Sequence, residues 1–319
     1  MEVPIQFWIG FIAFVLVMLA LDLGVFNREV KAVTVREAAG WVSLWVSLAL
    51  IFNVGLYFWA GAEPALEFLT GYLIEYSLSI DNIFVFVLIF SAFRVPARYQ
   101  HRVLFWGILG ALVLRAIMIF AGVALLETFH WIIYVFGGFL VFAGMRMLFS
   151  GGDDLIDVDR NPVLRLVRRV FPVTKDYHGS RFLVRQSGTL MGTPLLLVLV
   201  VVEATDVVFA VDSIPAIFAI TREPFIVFTS NIFAILGLRS LYFLLAGIID
   251  RFVYLEYGLA AILTFVGMKM ILSGVWHPPT WLSLAVIVGV LGISIGASLL
   301  SGKRKELPEG GLQRSSGNE

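Results

Sequence analysis

Long, nearly uncharged apolar runs recur along almost the whole of this chain. A run of about 18 or more residues with few charges is typical of a helix that spans a membrane. Because 60% of the 319 residues are hydrophobic and only 14% are charged, the chain cannot present a polar surface on all sides. The sequence therefore predicts an all-α fold, a polytopic helix bundle whose main solvent is the lipid bilayer.

About nine spans are predicted, each near the ~20 residues that a helix needs to cross a bilayer. Their approximate bounds are residues 5–26, 41–60, 66–91, 103–126, 131–150, 190–219, 225–249, 255–274 and 280–301. The first run lacks the basic start and the small-residue cleavage site of a signal peptide, so we expect it to be retained as a span. An odd number of spans places the two ends of the chain on opposite sides of the membrane.

The distribution of Lys and Arg predicts the orientation, because short loops rich in these residues stay in the cytoplasm. The first, third and fifth predicted loops and the C-terminal tail each contain several, whereas the second, fourth and eighth contain none. Arg222 and Arg251 leave the sixth and seventh loops undecided. We therefore expect the N-terminus outside and the C-terminus in the cytoplasm.

Residues 151–189 form the one sizeable polar segment between predicted spans. Asn161-Pro162 is a good cap and first turn for a helix that places Arg165, Arg168 and Arg169 on one side and valines on another. Such a basic amphipathic helix is expected to lie on anionic lipid at the cytoplasmic face. The polar tail after residue 301 has too little apolar surface to fold and is expected to be disordered.

An internal repeat joins two parts of the chain. The segment Gly144–Gly151, GMRMLFSG, returns as GMKMILSG at Gly267–Gly274, an offset of 267 − 144 = 123 residues. Each repeat holds three spans, so the second must enter the membrane in the opposite sense, as in the inverted repeats of secondary transporters. A duplicated scaffold without transport is the alternative explanation. The predicted organisation is two spans in residues 1–60, a first repeat in 66–150, a cytoplasmic loop in 151–189, a second repeat in 190–274, a last span in 280–301 and a tail in 302–319.

Five acidic side chains fall well inside predicted spans, where each costs about 2.5 to 3.5 kcal/mol even on a lenient insertion scale. They are Glu75, Asp81, Glu203, Asp206 and Asp212. One explanation is pairing with buried bases, and Arg115 and Arg239 are predicted at membrane depth. Five acids and two bases leave 2 − 5 = −3 charges, which bound cations, protons or water must balance. We therefore favour a functional site over simple ion pairing.

The donors around these acids are oxygens. In each repeat an acid precedes by six residues an Asp that is followed by a small polar residue, as Glu75 precedes Asp81-Asn82 and Asp206 precedes Asp212-Ser213. The four histidines lie at span ends or in loops and there is no cysteine, which argues against zinc or copper. Magnesium, calcium and manganese stay open. No catalytic dyad is visible, so neither an enzyme, a prosthetic group nor a nucleic-acid partner is expected.

Two segments resemble the signatures of a known family. Residues 71–82, GYLIEYSLSIDN, and 203–216, EATDVVFAVDSIPA, are similar to the two motifs of the TerC family, and the chain to about Gly302 resembles its Alx-type members. The resemblance implies a multi-span protein of the bacterial inner membrane that is linked to manganese efflux and historically to tellurium resistance. It places site residues at the matching positions Glu75, Asp81, Asn82, Glu203, Asp206, Asp212 and Ser213.

These observations predict a transporter that exports a divalent cation, with manganese(II) favoured as cargo, through a carboxylate site between inverted halves. Proton or sodium antiport would drive alternating access. The alternative is a non-transporting scaffold that holds a structural ion and recruits partners through residues 151–189. Some relatives are described as redox modulators, but the absence of cysteine argues against a direct redox role. The oligomeric state stays open.

Overall fold

The computed structural model describes residues 3–24, 34–129, 131–149, 172–174, 176–186, 189–246, 253–275 and 278–301. The helices are α1 (Ile5–Gly24), α2 (Val35–Ala60), α3 (Ala62–Ala92), α4 (Ala97–Thr128), α5 (Ile132–Phe149), α6 (Pro194–Phe218), α7 (Pro224–Leu236), α8 (Leu238–Leu245), α9 (Leu255–Ile271) and α10 (Thr280–Ser301). A short antiparallel hairpin, β1 (Leu183–Gln186) and β2 (Thr189–Gly192), precedes α6.

Seven helical stretches in the described parts of the chain are long and apolar enough to cross a membrane. They are α2, α3, α4, α6, α7 with α8, α9 with the 3-10 turn that follows it, and α10. Helices α1 and α5 are also apolar, but the parts of them whose side chains the structure describes are shorter than the seven spanning stretches. The predicted all-α membrane bundle is confirmed.

Several helix boundaries differ from the predicted spans, and three of these differences have a local reason. Helix α2 begins at Val35, six residues early, because Thr34 and Glu37 form a capping box in which the Thr34 hydroxyl accepts from the Glu37 amide at 3.3 Å. Helix α6 begins at Pro194 instead of residue 190, because residues 189–192 pair with 183–186 and proline favours a first helical turn. The predicted span 225–249 is broken at Gly237 into α7 and α8.

Side-chain contacts define the two ends of the bundle. At the end that carries the hairpin, called the hairpin end, the Tyr177 hydroxyl donates to the Phe93 carbonyl at 2.8 Å. At the opposite end, called the far end, the Lys269 amine donates to the Ser283 hydroxyl at 3.0 Å and Glu67 accepts a hydrogen bond from Thr221. The predicted basic helix that starts near residue 161 and the predicted tail at 302–319 lie outside the described residues.

Helices α3 and α6 are antiparallel neighbours in the centre of the bundle. Ile83 and Phe86 of α3 share an apolar cluster with residues 195–202 of α6 towards the hairpin end. Ile74 and Leu78 share another cluster with residues 210–218 of α6 towards the far end. The middle turns of both helices therefore meet where the two clusters adjoin, and there the side chains are polar.

Helices α5 and α9 pack backbone to backbone through glycine. A Cβ added to Gly137 would lie 2.8 Å from the Gly267 carbonyl oxygen, and one added to Gly267 would lie 2.7 Å from the Gly137 carbonyl oxygen. A Cβ on Gly144 would lie 2.7 Å from the Ala260 carbonyl oxygen. These pairs show that the two helices run antiparallel at a distance that admits no side chain at any of the three glycines.

Candidate functional site

Arg115 is the centre of a buried polar cluster in the middle of the bundle. It lies on α4 with 1% of its side chain exposed. Its guanidinium donates to both carboxylate oxygens of Asp206 on α6, from Nε at 3.1 Å and from Nη2 at 2.9 Å. Its Nη1 donates to Oε1 of Glu75 on α3. A planar guanidinium suits this role because its fork can bind one carboxylate with two hydrogen bonds and still reach a second.

The cluster carries more negative than positive charge. When all three groups are ionised, two carboxylates and one guanidinium sum to −1. Glu75 is fully buried, and its second oxygen, Oε2, has no hydrogen-bond partner among the described residues. A buried charge without a partner is costly, so this arrangement favours the binding of a further positive group.

Glu203 adds a further acid next to this cluster. It lies three residues before Asp206, on the same face of α6. Its carboxylate packs against α4 at Gly110, where an added Cβ would overlap all three carboxylate atoms. Its Oε2 is buried and has no hydrogen-bond partner in the described part of the chain. Glycine at position 110 thus makes the room that this acid occupies.

A small cavity of about 10 Å³ opens beside Asp206. Its wall is formed by Phe86, Leu104, Gly107, Ile108, Ala111, Val202 and Leu238 together with Asp206. The α4 and α6 residues of this wall lie on the hairpin side of Arg115 and Asp206. A space of about this size can hold one water-sized particle. The cavity therefore lies next to Asp206 and extends from it towards the hairpin end.

The remaining predicted site residues lie within one or two turns of this cluster. Gly71 of α3 packs against Ile217 of α6. Counting about 1.5 Å per residue from that contact puts Asp81 at the level of Asp206, and Asp212 at the level of Glu75. Asn82 and Ser213 are buried at 2% and 1% exposure, on the faces of Glu75 and Asp206 respectively. The side chain of Asp81 lies outside the described residues.

Asp212 differs from the central acids in its surroundings. It is half-buried, and Arg146 of α5 acts on it electrostatically. A basic residue near a helix end can extend to the membrane surface, and the bases predicted at membrane depth are only Arg115 and Arg239. Its proximity to Asp212 shows that Arg146 belongs in the charge balance. Helix α6 also continues through Pro215 to Phe218, so the proline does not interrupt it.

The described residues do not form a closed metal shell. No three acidic or histidine side chains among them converge in a way that could hold a metal ion. The structure brings Glu75 and Asp206 together on Arg115 and places Glu203 against Gly110, one helical turn from Asp206, while Asp212 and Ser213 lie farther along α6. The physical reason is that Arg115 occupies the space between Glu75 and Asp206 where a metal would otherwise bind both.

Sequence reasoning missed two polar features of the bundle interior. It counted Arg115 as a base at membrane depth but did not identify its partners. It also missed Asn231 on α7, which is fully buried and has neither amide atom hydrogen-bonded within the described residues. The available signal was an amide in the middle of the apolar run 225–236.

Known membrane proteins are similar to this chain over most of its length. The model of the integral membrane protein TerC family matches residues 60–306. An uncharacterized membrane protein of Myxococcus xanthus is 58% identical over 296 residues, 93% of this chain and 92% of that protein. A protein of Escherichia coli strain K12, named "putative membrane-bound redox modulator Alx", is 50% identical over 293 residues, 89% of this chain and 91% of its own length. No solved structure is significantly similar to the chain.

Proposed function

Because the chain belongs to the TerC family of integral membrane proteins, we propose that it exports a divalent metal cation, with manganese(II) as the favoured cargo. The observation that carries the proposal is the surplus of buried carboxylate charge at the centre of the bundle, next to a small cavity. Acids in a membrane interior are costly and typically mark ion pathways. We assign transport, and no catalytic reaction or prosthetic group, to this centre.

The donor chemistry supports a hard cation. The central side chains offer carboxylate, amide and hydroxyl oxygens, and the chain contains no cysteine. Such donors suit magnesium, calcium and manganese. Manganese is preferred among these three because the two acidic segments resemble signatures of a family linked to manganese efflux.

Contacts between helices support an inverted repeat of α3–α5 and α6–α9. At the repeat offset, Gly137 corresponds to Ala260 and Gly144 to Gly267, since 260 − 137 and 267 − 144 both equal 123. The contact of Gly137 with Gly267 then has the contact of Ala260 with Gly144 as its counterpart, and both occur. Helix α3 packs on α7 as α6 packs on α4. Repeats of this kind place their substrate site near the midplane.

The charge of the loops supports an orientation. The segments at the hairpin end carry five arginines, Arg94, Arg98, Arg102, Arg181 and Arg185. Because basic loops stay in the cytoplasm, we assign the hairpin end to the cytoplasm, the N-terminus to the outside and the C-terminus to the cytoplasm of a bacterial inner membrane. The cavity beside Asp206 then lies on the cytoplasmic side of the central cluster, from which an exporter must load.

The far side of the cluster is closed by apolar packing. Ile74 and Leu78 of α3 pack with Ile214 and Ile217 of α6 between Arg115 and the far end. In the proposed cycle this packing opens after the ion has bound, and proton or sodium entry from outside returns the protein to its starting state.

A specific observation also favours the scaffold alternative. Arg115 neutralises half of the combined charge of Glu75 and Asp206, so these two acids are explained in part as a structural ion pair. Glu203 is not explained in this way. It therefore distinguishes the two functions better than the paired acids do.

Flux of Mn²⁺ across sealed vesicles that contain the purified protein tests the proposal. We expect the wild type to move Mn²⁺ and Glu203→Gln to lose at least about nine-tenths of that flux while accumulating normally. Glu127→Gln is the matched control, because Glu127 is an exposed acid at the end of α4. Absence of flux in the wild type, or full flux in Glu203→Gln, would favour the scaffold.

A further inference from the structure

Arg115 and a bound metal would compete for the same oxygen atoms. The guanidinium donates to both oxygens of Asp206 and to one oxygen of Glu75. A divalent cation binds carboxylate oxygens at about 2.0 to 2.6 Å, which is closer than the guanidinium nitrogens lie. The two positive groups would then share the oxygens of Asp206, and their like charges would repel. An ion that reaches Asp206 must therefore displace part of the arginine contact.

The unsatisfied atoms show which contact is given up. Glu203 shares a helical face with Asp206, its Oε2 is buried without a hydrogen-bond partner in the described part of the chain, and the cavity adjoins Asp206. These features indicate that the acids that would bind the metal, Asp206 and Glu203, are both on α6. On α3, the second carboxylate oxygen of Glu75 is likewise without a partner among the described residues, so Glu75 can take more of the guanidinium.

We propose that Arg115 is a tethered counter-cation that exchanges partners when the metal binds, an inference that rests on the proposed transport function. Without metal it holds Asp206 and Glu75 together. With metal it keeps Glu75 alone and leaves Asp206 and Glu203 to the ion. All charges are then paired, because two carboxylates match one divalent cation and the third matches the guanidinium.

The exchange has a structural consequence. In the metal-free arrangement the guanidinium links α3 to α6, which belong to the two proposed repeats. After the exchange this link is lost, and the halves are free to change their relative position. Arg115 is thus a positioning residue that keeps the closed state in place until the cargo has arrived.

Two substitutions should change the affinity for Mn²⁺ in opposite directions. Arg115→Lys keeps the positive charge, but a single ammonium cannot reproduce the fork, so Asp206 is released more easily. The conformation in which Arg115 is bound to Asp206 cannot take up the metal, and it lowers the apparent affinity in proportion to its population. Because Arg115→Lys makes this conformation less populated, we expect its Kd for Mn²⁺ to fall about tenfold. Glu75→Gln leaves Asp206 as the remaining carboxylate partner of Arg115, so the contact of Arg115 with Asp206 becomes stronger. The conformation that cannot take up the metal is then more populated, and the Kd should rise about tenfold.

The test is a titration of the full-length protein in detergent with Mn²⁺, which measures the Kd of each variant. Arg239→Lys is the matched control, because Arg239 is a second buried arginine, on α8, and its substitution should change the Kd less than about twofold. Shifts in the same direction, or none, in Arg115→Lys and Glu75→Gln would overturn the inference. If Arg115→Lys does not fold, an unchanged or lower Kd in Glu75→Gln alone overturns it. If the wild type neither binds nor transports Mn²⁺, the proposed function itself is overturned. If the wild type transports Mn²⁺ but the variants show unshifted affinities, only the partner exchange is overturned.

Discussion

Alanine at Gly137 should loosen the packing of α5 on α9, whereas alanine at the adjacent Gly138 should not. The added Cβ at Gly137 would lie 2.8 Å from the Gly267 oxygen and 2.9 Å from both Met270 Cβ and Ile271 Cγ1. Carbon atoms normally pack at about 3.5 to 4.0 Å, so the two helices must separate by several tenths of an ångström. Overpacking of this kind costs about 1 to 3 kcal/mol.

Gly138 supplies the internal control for that magnitude. Nothing lies within 4 Å of a Cβ added there. Both substitutions gain the same ~0.5 to 1 kcal/mol from replacing glycine in a helix. The difference between the two variants therefore isolates the packing penalty, and we expect Gly137→Ala to be about 1 to 3 kcal/mol less stable than Gly138→Ala.

Unfolding of purified protein in micelles by a denaturing detergent measures this difference. Far-ultraviolet circular dichroism follows the loss of helix, and the two variants are compared at equal protein and detergent concentrations. Equal stability of the two variants would refute the close approach of α5 to α9, and with it the symmetric glycine contacts that support the inverted repeat.

Three further predictions concern single side chains. Asp206→Asn weakens the paired hydrogen bonds of the buried Arg115 but leaves Glu75 to balance its charge, so stability should fall by about 1 to 3 kcal/mol, seen as reduced accumulation in the membrane. Gly110→Ala should abolish Mn²⁺ flux while Arg115 stays paired, because its Cβ takes the space of the Glu203 carboxylate. Tyr177→Phe loses a hydrogen bond worth about 1 kcal/mol. Burial raises the pKa of Tyr177 from its ordinary value near 10 to about 12. The stability that the neutral Tyr177 hydroxyl contributes is therefore complete below pH 10 and is lost as the pH rises towards 12. Alkaline titration should accordingly affect the stability of Tyr177→Phe less than that of the wild type.

The positions of the membrane helices were predictable because hydropathy over some 20 residues is a property of the sequence alone. Each predicted span coincides with a helical stretch among the described residues, although the number that cross the membrane stays a prediction. The boundaries were less predictable where local pairing intervened. Residues 189–192 are apolar enough to begin a span, yet their pairing with 183–186 delays α6 until Pro194.

The composition of the site was predictable, but its pairing was not. The cost of buried charge identifies the acids, and the deficit of bases identifies the need for a counter-charge. Which acids Arg115 binds depends on how distant helices approach one another, since its partners lie 40 and 91 residues away in sequence. Asp206→Asn is expected to affect folding as well as ion binding for that reason, because Asp206 is a partner of a buried arginine as well as a predicted ligand.

The position of manganese in crystals soaked with Mn²⁺ tests the central claim most directly. Anomalous scattering locates the metal without assumptions about its ligands. The account predicts a peak between α4 and α6 within about 2.6 Å of carboxylate oxygens of Asp206 and Glu203, with Arg115 bound to Glu75 alone. A fully occupied manganese at another place, or no peak beside Asp206 under conditions that support flux, would contradict it.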